Sequence, residues 1–193
     1  MGMKLAIWYA ACETAGWRSH TAGGPPEAVQ LSHALSSIST RLKNLGHSPY
    51  MVDMRSFSDW AHVEATIPTL EYDASLIWAL PLDHGTGRRT VQLLRALGQK
   101  TPILCAGPWV SASPGMDVEG ANACIYGDLD EVLPEILERI EARESYAAQW
   151  STLDRPVDLI DLPDVDRGLF NCETEKGSPP LPGMRTPYYT ISA

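Results

Sequence analysis

The sequence is short of the features by which many functional classes are recognised. No apolar run approaches the roughly 20 residues needed to cross a bilayer. Met1-Gly2-Met3-Lys4 leads into a strand-like segment with no cleavage signal, so the expected location is the cytoplasm and no membrane partner is expected. Basic residues are few, 15 Lys and Arg against 24 Asp and Glu, for a net charge of -9. They are scattered singly or in pairs such as Arg88-Arg89, which argues against nucleic acid as a partner. The four cysteines, Cys12, Cys105, Cys124 and Cys172, have neither CxxC spacing nor the clustering of a disulfide framework, zinc site or iron-sulfur site. They read as free thiols, with Cys105 and Cys124 in buried strands. Walker and GxGxxG spacings are absent too, which leaves Gly85-Thr86-Gly87 too generic to be a phosphate loop.

What is present is an alternation of short apolar runs with amphipathic stretches, the pattern of parallel strands joined by crossover helices. A chain of 193 residues holds one such core and an appendage. Strands are expected at 4–10, 50–54, 74–80, 102–106 and 123–126. The run 74–80 is apolar throughout, as a central strand covered on both faces should be. Helices are expected from Pro25-Pro26-Glu27 to Gly46, from Ser58-Asp59 through Leu70, over 87–98 and over 128–144, the last with acidic residues in its first turn. The expected fold is α/β, a flavodoxin-like (Rossmann-like) five-stranded parallel sheet with helices on both faces, occupying 1–147. Beyond it, Pro156, Pro163, Pro179, Pro180, Pro182 and Pro187 puncture a stretch without helical period. Residues 148–193 therefore read as an extended Pro-rich C-terminal arm, ending in the strand-like Arg185 to Ser192.

In an open parallel sheet, ligands bind beyond the carboxyl ends of the strands, where strand order reverses. Three loops there stand out. The first, 11–24, is long for a βα connection and holds Trp17, His20 and Gly23-Gly24. The second follows Leu80 as Pro81-Leu82-Asp83-His84-Gly85-Thr86-Gly87, an apolar entrance, a titratable pair and glycines that permit close approach to a ligand. Asp83 and His84 fit either an N-cap with a solvent-exposed histidine or ligand contact. In the third, Gly107 leaves a vacancy that admits a flat ligand, and Trp109 either stacks on that ligand or closes the core edge.

Ile103-Leu104-Cys105-Ala106-Gly107-Pro108-Trp109-Val110-Ser111 is similar to the Gly-Gly-Pro-x-x-Thr turn of cobalamin (B12)-binding domains in B12-dependent radical S-adenosylmethionine (SAM) enzymes. Tyr126-Gly127-Asp128-Leu129-Asp130-Glu131 and the leucine-spaced run to Leu137 resemble the Gly-Glu-Gly-Glu turn and helix of that family. Leu45-Gly46-His47 with Val52-Asp53, and Leu159-Ile160-Asp161-Leu162-Pro163, match two more of its segments in order and spacing. Ala106 and Leu129 stand where the family has glycines. The D-x-H-x-x-G motif that supplies a histidine to cobalt in other B12 proteins is absent.

The resemblance implies a module that holds cobalamin, as methylcobalamin or hydroxocobalamin, over the carboxyl edge of the sheet with its dimethylbenzimidazole detached from cobalt. The implied contacts are Trp17, Leu80, Pro81, Leu82, Asp83, His84, Gly107, Pro108, Trp109, Ser111, Tyr126, Gly127 and Asp128. No protein ligand to the metal is implied, His84 being the one side chain able to approach it. The resemblance further implies a radical SAM catalytic domain as partner, in cis or in trans. That part, not within this sequence, would hold the iron-sulfur cluster and SAM, the parent enzyme being a methyltransferase and this chain alone catalysing nothing. From the residues alone, a small flavin-binding flavodoxin-like protein is the alternative, since an apolar cleft with Gly, Ser and backbone donors suits either ligand.

Overall fold

The computed structural model describes residues 2–10, 33–152, 163, 164, 166 and 169. Its centre is a six-stranded sheet in which every pairing is parallel: β1 Lys4–Tyr9, β2 Ser48–Asp53, β3 Ala74–Trp78, β4 Ile103–Ala106, β5 Ala123–Tyr126 and β6 Gln149–Ser151. The strand order is β2-β1-β3-β4-β5-β6. Strands β3, β4 and β5 are buried at every residue, and the two edge strands are not, as expected for a parallel sheet sheathed in helices.

Side chains alternate between the two faces with the period of a strand. Leu5, Ile7, Leu76, Leu104 and Ile125 meet helices α1 (His33–Asn44) and α5 (Leu129–Glu141), which present Leu35, Ile38 and Leu42, and Leu133, Ile136 and Leu137. On the other face, Ala6, Trp8, Ile77, Ile103 and Cys105 meet α2 (Trp60–Thr66), α3 (His84–Ala96) and the single-turn α4 (Pro108–Ser111), through Val63, Val91, Leu94, Trp109 and Val110. Among the described residues no helix is long and apolar enough to cross a membrane.

Local chemistry sets the helix ends. Asp59 caps α2, its carboxylate accepting from the His62 N–H at 2.9 Å. Gly46, at φ +88°, closes α1, where the His47 N–H returns to the Leu42 carbonyl at 2.9 Å. Helix α3 starts three residues before the expected position because Pro81 opens a 3-10 turn, Pro81–Asp83, that runs directly into it. Cys105 and Cys124 are free and buried, side by side in the β4/β5 register.

The sheet has six strands where the sequence pattern indicated five. Gln149–Ser151 falls in the stretch read as arm, yet pairs with β5 along Cys124↔Gln149, Ile125↔Trp150 and Tyr126↔Ser151. Three residues, one of them apolar, carry no strand periodicity; tertiary pairing decides their state. Further along, the Asp166 N–H donates to the Ser36 carbonyl at 3.0 Å, and its carboxylate accepts from Ser39 Oγ at 2.6 Å and pairs with Lys43. The first loop, the start of the first expected helix and most of the arm lie outside the described residues.

Asp130, in the first turn of α5, is buried with Ser37 Oγ of α1 at 3.3 Å. Burial pushes its carboxyl above the usual carboxylate range. In the pH interval between the unfolded and folded values, the unfolded chain binds fewer protons than the native one, so stability falls as pH rises through that window. Asp130→Asn removes this loss. Urea unfolding should find it at least as stable as the parent at pH 7, with a flatter decline just above the ordinary carboxylate pKa; a steeper decline would contradict the burial assigned to Asp130.

Candidate functional site

The chain passes from β1 outward to β2 and then returns to the far side of β1 for β3, so strand order reverses between β1 and β3. At the carboxyl end of that pair, Tyr9 and Trp78 stand in register and stack with ring centroids 5.3 Å apart at 17°. The Arg55 guanidinium lies 4.9 Å from the Tyr9 ring centre and is held by Asp53, with Nε donating to Oδ1 at 2.9 Å. Arg55 is only 5% exposed, so this cation is largely desolvated between a carboxylate and an aromatic face. These four residues floor the edge.

Gly107 follows β4 with φ +98° and ψ -179°, a conformation open essentially to glycine alone. A Cβ there would meet the Ala79 carbonyl oxygen and Trp78 Nε1, both at 2.9 Å. The vacancy read from the sequence is thus filled by the protein's own β3 segment, and Gly107 is buried with its carbonyl accepting from the Val110 and Ser111 N–H groups, both at 3.1 Å. Trp109 follows the same logic. It is 3% exposed, its Nε1 donates to the Ala106 carbonyl at 2.8 Å, and its ring abuts Gly87, where a Cβ would lie 3.3 Å from it. Trp109 closes the core, and Gly87 makes room for that indole.

The loop after β3 points outward. Leu80 is half-buried and Pro81 is exposed, while Leu82 is 73% exposed, one of two large hydrophobics so exposed among the described residues. Asp83 is fully buried with its N–H donating to the Leu80 carbonyl at 2.9 Å, so of the adjacent pair it faces inward and His84 outward. His84 Nδ1 lies 3.0 Å from the Pro81 carbonyl oxygen. Asp83 precedes α3 without a side-chain capping bond.

Beside it, the β4 and β5 loops are tied together: the Gly127 N–H donates to Ser111 Oγ at 2.9 Å, with Gly127 at φ +88°. Ser111 keeps its own hydrogen to donate. Tyr126 is buried, its hydroxyl donating to the Met116 carbonyl at 2.9 Å, so its side chain is structural. Asp128 is exposed, makes no capping bond to α5, and has its carbonyl fixed by Thr152 Oγ1 at 3.1 Å.

Of the residues expected at the site, Leu80, Pro81, Leu82, His84, Pro108, Ser111, Gly127 and Asp128 lie on the loops along this edge with some surface exposed. Gly107, Trp109, Tyr126 and Asp83 are buried beneath it, and Trp17 lies outside the described residues. Sequence reasoning passed over Tyr9, Trp78, Arg55 and Asp53. The available signal was an aromatic residue closing each of two neighbouring strands, with an Asp-x-Arg turn closing a third.

The architecture is a Rossmann-like α/β fold built on a parallel sheet. Among solved structures it resembles the radical SAM methyltransferase TsrM from Kitasatospora setae. Against TsrM with tryptophan substrate and the SAM analogue aza-SAM bound, the TM-score is 0.58 at 17% identity over 74% of this chain. Against TsrM with cobalamin and a [4Fe-4S] cluster bound, it is 0.58 at 15% identity over 75%. The match spans 26% of the TsrM chain in both cases, about a quarter, and at these identities it is a likeness of fold. No protein-family model and no curated protein sequence matches the chain.

Gly107→Ala tests the edge without any ligand. The strained φ alone costs about 1–3 kcal/mol, and the approach to Ala79 and Trp78 adds to it. Urea or thermal unfolding should show a loss of at least that size. An unchanged stability would mean that this turn does not pack on β3 as described.

Proposed function

We propose that this chain binds cobalamin at the carboxyl edge of its sheet, as the B12 module of a radical SAM enzyme, most simply a methyltransferase. The observation that carries the reading is the fold shared with TsrM, a structure of which holds cobalamin. The motif order around Gly107 and Gly127 adds support, because both turns fall on the same edge as the reversal of strand order.

The residues present suit a corrin. Leu82, Pro81 and Pro108 give an exposed apolar ledge, Pro81 and Pro108 having no N–H to leave unpaired against an apolar face. Ser111, Asp128 and the backbone at Gly127 line its flank with polar groups able to meet amide arms. When bound, cobalamin supplies a cobalt centre able to carry a methyl group. The chain's own part is to hold the ring against the ledge and shield one of its faces from water. The catalytic domain, in cis or in trans, would bring the iron-sulfur cluster and SAM, with residues beyond Thr152 as the arm leading towards it and the cytoplasm as the compartment.

Incubation with hydroxocobalamin, desalting and a visible spectrum should leave corrin absorbance with the protein at close to one equivalent. Retention of flavin mononucleotide in place of the corrin would overturn the reading in favour of a flavodoxin-like flavin protein. Burying one leucine side chain is worth about 1.5–3 kcal/mol, so Leu82→Glu should weaken cobalamin binding by about tenfold or more. Its Tm should stay at the parent value, because Leu82 supports nothing beneath it.

A further inference from the structure

We propose that His84 Nε2 is an axial ligand to the cobalt of the bound cobalamin, reaching it from the face turned towards the sheet. The inference rests on the cobalamin reading above and departs from what the sequence resemblance implies, a cobalt with no ligand from the protein.

A carbonyl oxygen can only accept, so the 3.0 Å contact between His84 Nδ1 and the Pro81 oxygen places the ring hydrogen on Nδ1. In the neutral ring the lone pair is then on Nε2. A metal-binding histidine characteristically spends its other N–H in this way, on a carboxylate or a backbone carbonyl that fixes tautomer and ring orientation. Among the described residues Nε2 has no protein partner, and the ring is exposed.

The carbonyl that orients it belongs to a rigid turn. Proline fixes φ at Pro81, the Asp83 N–H closes the turn on the Leu80 carbonyl at 2.9 Å, and Asp83 is wholly buried below. The imidazole therefore stands on a support anchored in the central strand β3, two residues from the exposed Leu82, beside the reversal of strand order. Two other imidazoles are engaged elsewhere. His47 is at the amino end of the sheet, its Nδ1 accepting from the Met3 N–H at 3.2 Å, and His62 is turned towards Ser58 on α2. The Met116 sulfur accepts from Arg88.

The test loads the full chain with cobalamin, reduces it to cobalt(II) and records electron paramagnetic resonance, once for protein at natural abundance and once for uniformly 15N-labelled protein with unlabelled cobalamin. A nitrogen triplet that becomes a doublet on labelling, and is absent from loaded His84→Ala, is the expected result. If His84→Ala fails to hold the corrin, the labelled parent protein still decides the source of the nitrogen. A triplet unchanged by labelling assigns the nitrogen to dimethylbenzimidazole, and a spectrum without nitrogen splitting leaves that position to oxygen or to nothing; each overturns the ligation while leaving the cobalamin reading intact. Failure of the parent chain to retain any corrin overturns both.

Discussion

The close approach of the Gly107 backbone to Trp78 and the Ala79 carbonyl is the constraint on which the rest of the carboxyl edge depends. It lets β4 end flush against β3, drops the following turn onto the sheet and sends Trp109 back under it, where Gly87 of α3 has no side chain to obstruct the indole. One glycine at the end of a strand and one inside a helix thus set the height of two neighbouring loops. The cost of a methyl group at either position is paid by the whole edge, because interiors packed at crystal-like density transmit such strain.

A second layer of support is electrostatic. Arg55 is desolvated by Tyr9 and bound by Asp53, an arrangement in which truncating one partner would strand the other's charge. Stacking of Tyr9 on Trp78 joins this pair to the Gly107 turn, so the ends of β2, β1, β3 and β4 act as one platform. If the proposed corrin binds here, that platform would present it with a ready-made surface. Shape would be set in advance, with little ordering entropy left to lose on binding.

Much of the fold was legible because parallel strands buried on both faces are written as uninterrupted apolar runs. Ala123–Tyr126 emerges at the same bounds in sequence and structure, and Asp59 caps where a cap was expected. Gln149–Ser151 was illegible for the opposite reason: an edge strand of three residues is held by pairing with β5 and needs no pattern of its own. Along the carboxyl edge the loops lie where the sequence put them, and burial divides their side chains. Trp109, in the single-turn α4, and Tyr126, the last residue of β5, stand next to the turns of this edge, yet their polar atoms find the Ala106 and Met116 carbonyls and bring the rings inside. Whether an amphipathic ring faces in or out depends on a hydrogen-bond acceptor supplied by another segment, which no local spacing reveals.

The mooring of the arm on α1 has a mechanical side. Asp166 is bound to Ser36, Ser39 and Lys43, and Thr40 Oγ1 donates to the Asp164 carbonyl, so the polypeptide beyond β6 is already fastened to the outer helical layer before it reaches Leu169. The proposed catalytic domain, if joined in cis, would be leashed from that helix and not from the sheet's edge strand. The length of its tether, and hence the local concentration at which it would meet the carboxyl edge, would be counted from α1.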